Sequence, residues 1–201
     1  HYIRTVMKDD DLLSYLSSYI DSDIIQYPHN INKLYRYDTS KSKKLKYLLN
    51  FILDIDLKDK LITQLFQTLA EEEDFSKKLY MSVEDIQKLD NLGYLGTHTD
   101  LHLPLATLSE NKIRNEISNS IDFFKNICET NTIKSISYPY GGPKSVSSKV
   151  MKVSKEFEFE FGLTMFRGLN NIKDLNNPLL LKRVDTNDAP GGKLKNNEFC
   201  L

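Results

Sequence analysis

Gly96-Thr97-His98-Thr99-Asp100-Leu101-His102-Leu103-Pro104-Leu105 is the stretch that decides how this chain is read. It carries two of the four histidines found in 201 residues. Their i, i+4 spacing lets two imidazoles turn the same way and share one divalent ion. Upstream, Ser82-Val83-Glu84-Asp85 predicts a helix N-cap with acid in the first turn, Ile86, Leu89 and Leu92 an apolar face, and Gly93 a stop. Tyr94-Leu95-Gly96 then reads as a short strand delivering His98. Downstream, Ser109 can cap a helix with Ile113, Ile117, Ile121, Phe124 and Ile127 at helical intervals. A polar loop between strand and helix is where α/β folds place their chemistry.

Further along, Lys134 to Tyr138 predicts a strand stopped by Pro139, and Tyr140-Gly141-Gly142-Pro143 a loop. Val146 to Phe157 predicts a helix, and Phe161 to Phe166 and Leu179 to Val184 two strands. Helix and strand thus alternate, which implies parallel pairing with active groups at the C-terminal ends of the strands. Residues 8 to 80 have a different texture. Apolar groups at 12, 13, 16, 19 and 20, and again from Leu45 to Asp54 and Leu57 to Ala70, follow helical spacing. Gln26 to Lys41, broken by Pro28, reads as loop, and Glu71-Glu72-Glu73-Asp74 as a solvated helix end.

Composition is that of a globular protein, with 40% hydrophobic and 27% charged residues. The formal net charge of -1 gives no argument for nucleic acid or an anionic membrane as partner. No apolar run is long enough to predict a membrane span. Cys128 and Cys200 lack C-x-x-C spacing and read as a buried and a terminal thiol. His1-Tyr2-Ile3-Arg4 shows neither a Met start nor a signal peptide, so the chain reads as beginning inside something longer. A cytoplasmic location is the working expectation, and the sequence specifies no oligomeric state.

Three stretches could carry chemistry. His98 and His102 supply two neutral nitrogen ligands of a zinc-type site, which leaves a third, usually a carboxylate, to come from elsewhere. Asp100, Asp185 and Asp188 are the candidates in sequence. The alternative is a pair of surface histidines hydrogen-bonded to backbone. Tyr138-Pro139-Tyr140-Gly141-Gly142 ends a strand, so its backbone N–H groups could stabilise a tetrahedral oxyanion; the alternative is a plain Pro/Gly turn. Arg183-Val184-Asp185-Thr186-Asn187-Asp188 places carboxylates after the last strand, where they could bind metal or substrate, or simply form an Asx-turn or helix cap.

Taken in order, these pieces resemble the polysaccharide deacetylase family, the metal-dependent carbohydrate N-deacetylases. His98, Thr99 and His102 match its H-[ST]-x-x-H motif, and Pro139, Tyr140 and Gly141 its strand-ending P-Y-G-like turn. The resemblance runs from about Met81 to Asp188. It implies a distorted (β/α) barrel, incomplete at the N-terminus, with residues 1–80 a helical insertion or appendage and 81–201 the C-terminal part of the barrel. It implies a divalent metal, zinc in the first instance, on His98 and His102, with the backbone N–H of Tyr140 at the oxyanion. Pro139, Gly141 and Asp185 would then line the place of a carbohydrate substrate. The implied reaction is removal of N-acetyl or O-acetyl groups from a sugar or polysaccharide in bacterial surface-glycan metabolism.

The chain also departs from the family pattern. The T-F-D-D motif, which supplies the family's base and its Asp ligand, is not found, and no histidine follows His102 to act as acid. Ser137 stands where the family's base-orienting Arg is usual, and Leu103 where Pro or Ser is common. Two alternatives follow: a relative without catalysis that binds carbohydrate or a partner protein, and a metal hydrolase of another class with Asp100 or Asp185 as third ligand.

Overall fold

Leucines at 12, 16, 45, 48, 53 and 61 are almost fully buried and, with Ile3, form the core of a helical unit. The computed structural model describes residues 2–129, 133–187 and 189. It divides the chain into two compact units, His1–Met81 and Ser82–Leu201. In the first, helices α1 (Ile3–Val6), α2 (Asp9–Ser17), α3 (Ile31–Leu34), α4 (Ser40–Tyr47), α5 (Ile55–Gln67) and α6 (Glu72–Leu79) follow in order. Side-chain caps start two of them: Thr39 accepts from the Ser42 N–H, and Asp54 from those of Asp56 and Leu57. The helix expected from Leu45 begins earlier, at Ser40, and widens into a π-turn over Leu48–Ile52, closed by the Leu53 N–H on the Leu48 carbonyl at 2.9 Å. The acidic run forms the first turn of α6, where carboxylates suit the positive end of the helix dipole. Arg4 ties α1 to α2 through a two-pronged bond to Asp9 (2.7 and 2.8 Å).

The second unit opens with α7 (Val83–Asn91), capped by Ser82. It closes in a Schellman turn. The Gly93 N–H bonds the Asp90 carbonyl and the Tyr94 N–H that of Leu89, with Gly93 at φ +70°. Tyr94 is spent on that cap, so the strand expected at Tyr94-Leu95-Gly96 does not form. Only Thr97 pairs, in an isolated parallel bridge with Ile136. Helix α8 (Glu110–Ile127) follows, then β1 (Ser135–Ser137), α9 (Ser148–Ser154), β2 (Phe161–Arg167) and β3 (Leu181–Arg183). The predicted last strand loses its beginning because Pro178–Leu180 tighten into a 3₁₀ turn.

β1 and β2 pair in parallel, as do β2 and β3, in the spatial order β1-β2-β3. The architecture is α/β, and among the described residues the sheet has three strands. Ile113 and Ile117 on α8, Val150 and Val153 on α9, and Ile136 and Tyr138 at β1 are fully buried and form its core. Among the described residues no helix is long and apolar enough to cross a membrane.

Candidate active site

In a parallel sheet whose order follows the chain, every strand ends on the same edge. Here that edge receives His98 after Thr97, Tyr140 and Gly141 after β1, and Asp185 after β3. The first two groups meet. The rings of His98 and His102 lie 4.7 Å apart between centres, and those of His102 and Tyr140 4.8 Å apart, both edge-to-face.

The backbone that achieves this is strained. Thr99 (φ +65°), His102 (φ +56°) and Tyr140 (φ +60°) are all left-handed, and only one other described non-glycine residue, Glu158, shares that conformation. Such residues cost of order 1–3 kcal/mol each and persist only where surroundings hold them. Gly141 is left-handed too (φ +51°), and a Cβ there would run into the Met165 backbone nitrogen and come within 2.8 Å of its Cγ. Pro139 and Gly141 are buried, so they act on the site by shaping the turn that carries Tyr140.

His98 and His102 are both exposed. The Nδ1 of His98 sits 2.5 Å from the Ser137 carbonyl oxygen, which can only accept, so Nδ1 is the donor, and in the neutral imidazole the lone pair is then on Nε2. Nitrogen ligands lie about 2.0–2.1 Å from zinc, which places the centres of two rings sharing one tetrahedral ion about 5 Å apart. The observed 4.7 Å between ring centres is close to that spacing.

The third corner does not come from the residues expected. Among the described residues no three of His, Cys, Asp and Glu converge on a point that could hold an ion. Asp100 turns to α8, its carboxylate accepting from Asn119 Nδ2 at 3.0 Å. Asp185 lies after β3 in a cleft of about 230 Å³ with Met165, Arg167, Arg183, Val184 and Thr186. It pairs with Arg167 at 3.5 Å and accepts from the Asn187 N–H at 2.9 Å, so the Asx-turn reading of this stretch is what forms. Met165 joins that cleft to the tyrosine turn, its N–H donating to the Gly141 carbonyl at 2.9 Å. Asp188 and Cys200 fall outside the described residues.

The residues that sequence reading missed lie on one face of α8. Glu116 Oε2 accepts from the Leu101 N–H at 3.0 Å, and its backbone carbonyl accepts from the Asp100 N–H at 3.0 Å. One turn on, Asn119 holds Asp100, and Ser120 shares a 2.7 Å hydrogen bond with the buried Thr97 hydroxyl. Positions 116, 119 and 120 follow helical spacing and line the side of α8 that meets the histidine loop. The available signal was Glu116 and Ser120 falling among Ile113, Ile117 and Ile121, polar groups on an otherwise apolar face. Burial pushes the Glu116 carboxyl above the ordinary carboxylate range.

Comparison with known proteins agrees with the two motif loops. The family model described as polysaccharide deacetylase matches residues 66–162. Among solved structures, the Streptococcus pyogenes deacetylase PplD in complex with acetate is 19% identical, with a TM-score of 0.45 over 52% of this chain and 44% of that one. The match thus spans less than half the length of that protein. No curated protein matches. Over residues 66–162, which hold both motif loops, this chain is similar to the polysaccharide deacetylase family.

Proposed function

We propose that this chain carries the metal-binding and oxyanion side of a carbohydrate deacetylase that removes N-acetyl, or O-acetyl, groups from a sugar or polysaccharide. The observation that carries this reading is the convergence of His98, His102 and Tyr140 within 4.7 and 4.8 Å on one edge of a parallel sheet. His98 and His102 would hold a divalent ion, zinc in this reading. When bound, such an ion polarises the acyl carbonyl and lowers the pKa of a water molecule. The chain's own contribution is orientation. Ser137 fixes the His98 tautomer, Pro139 and Gly141 shape the turn, and the Tyr140 backbone N–H is the donor assigned to the developing oxyanion. Asp185 and its cleft lie along the same edge as a place for the rest of the saccharide. The reading also takes the sheet as one arc of a distorted (β/α) barrel, residues 1–80 as a helical insertion, and bacterial surface glycan as the substrate source. The test is zinc titration followed by acetate release from N-acetylated oligosaccharides. Zinc binding that depends on both histidines, with acetate release, supports the proposal, whereas no zinc uptake by the intact chain overturns it.

A second reading is a non-catalytic relative that binds carbohydrate. The observation favouring it is that no third ligand joins the histidine pair among the described residues. Saccharide binding without acetate release, in chain supplied with zinc, would select it.

A further inference from the structure

Glu116 is an acid that is 6% exposed, on a helix whose neighbouring face is isoleucine. Its carboxyl interacts with backbone N–H groups of the histidine loop, and among the described residues no cation acts on it. A buried carboxyl without a cation is unfavourable unless its oxygens are hydrogen-bonded. The bonds it makes fall on one target. Side-chain oxygen and backbone carbonyl of the same residue accept from Leu101 and Asp100, the two residues immediately before His102. On either side of this pair the chain is left-handed, at Thr99 (φ +65°) and His102 (φ +56°). An L-residue leaves that region when released, because right-handed and extended conformations avoid its Cβ contacts.

We propose that Glu116 is a positioning residue for the histidine pair. It clamps two successive N–H groups and so locks the kinks that bring the His98 and His102 rings to 4.7 Å. Asn119 and Ser120 support the same loop at Asp100 and Thr97, but among the described residues only Glu116 binds the backbone between the two kinks. The inference rests on the metal-site reading for its purpose, though the clamp itself exists without an ion.

The test uses the full chain with Glu116→Gln and Glu116→Leu. Gln keeps an oxygen that accepts the Leu101 N–H, and Leu fills the space without one. Metal-free hydrogen exchange, the NOE between the two imidazole rings, and zinc affinity are read together. Glu116→Leu, which removes the acceptor of the Leu101 N–H and leaves the main-chain carbonyl that holds Asp100, is expected to speed exchange at Leu101 about tenfold or more while Ile117 and Ile121 keep their protection, and to erase the ring–ring NOE. It should weaken zinc binding by about 10–100-fold, and Glu116→Gln should restore most of both losses. Should Glu116→Leu not fold, Glu116→Asp, which withdraws the carboxylate by one methylene, is expected to show the same losses. Wild-type exchange and NOE in both Glu116→Leu and Glu116→Asp would overturn the clamp, as would a Gln variant no better than Leu. Absence of zinc binding in the wild-type chain would instead overturn the metal reading, with the exchange and NOE measurements still deciding the clamp.

Discussion

His98 and Ser137 are joined by a hydrogen bond from imidazole Nδ1–H to a backbone carbonyl, at 2.5 Å. The contact links the histidine loop to the end of β1, so the strand that presents the tyrosine turn also sets which nitrogen of His98 keeps its lone pair. A nitrogen-15 spectrum of the metal-free chain should therefore show His98 protonated at Nδ1, and zinc should shift Nε2. His98→Ala and His102→Ala should each lower zinc affinity by at least about a hundredfold, because each removes one of two nitrogen ligands. Either variant binding zinc like wild type would remove that histidine from the site.

Gly141 offers a test of the tyrosine turn. Its φ of +51° and the Met165 backbone beside it leave no room for a methyl group. Gly141→Ala is expected to cost about 1–3 kcal/mol in thermal unfolding and to reduce deacetylation more than zinc affinity, since it moves the Tyr140 N–H and leaves the imidazoles in place. Equal losses of both would place Gly141 in the general frame.

Ile117 is fully buried on α8, adjacent in sequence to Glu116. Ile117→Ala should destabilise the chain by about 2–5 kcal/mol, the range for a core aliphatic cut to alanine. The exposed Asn115→Ala on the same helix should stay within about 0.5 kcal/mol. Chemical denaturation of the two variants checks both figures.

In the helical unit, the Arg4 guanidinium and the Ser42 hydroxyl hold the Asp9 carboxyl down to about 2, below the usual 3.8. A carboxyl with a depressed native pKa contributes stability above its unfolded value and loses it as pH falls towards the native one. That contribution, of order 1–2 kcal/mol, should be present at neutral pH and fade between about pH 4 and pH 2. Asp9→Asn should lower neutral-pH stability and flatten this part of the acid titration, as followed by circular dichroism. An unchanged acid profile would mean that the pair exists in the unfolded chain as well.

What could be read from the sequence was local. The Ser82 and Ser109 caps, the Gly93 stop and the apolar stripe of α8 each depend on residues within a turn or two of one another, and all four formed. The histidine loop was legible for the same reason, since its i, i+4 spacing is a short-range property. The strand at Tyr94 was misread because one residue served two signals, and the helix cap took it. For Asp100 and Asp185 the sequence left metal, substrate and turn roles open because a carboxylate's partner is chosen by the fold, and each found a nearby donor, in Asn119 and Arg167. No role for Glu116 could be read from its neighbours in sequence. Its role appears only when a helix fifteen residues downstream packs beneath the loop.

The Schellman turn at Gly93 has a practical use. It sits at the opposite end of the Thr97 segment from the imidazoles, its residues 91–94 are exposed, and nothing lies within 4 Å of a Cβ built on Gly93. A purification handle or a spectroscopic reporter grafted at Asn91 would thus extend into solvent. The protein could then be immobilised without altering any residue of the histidine loop.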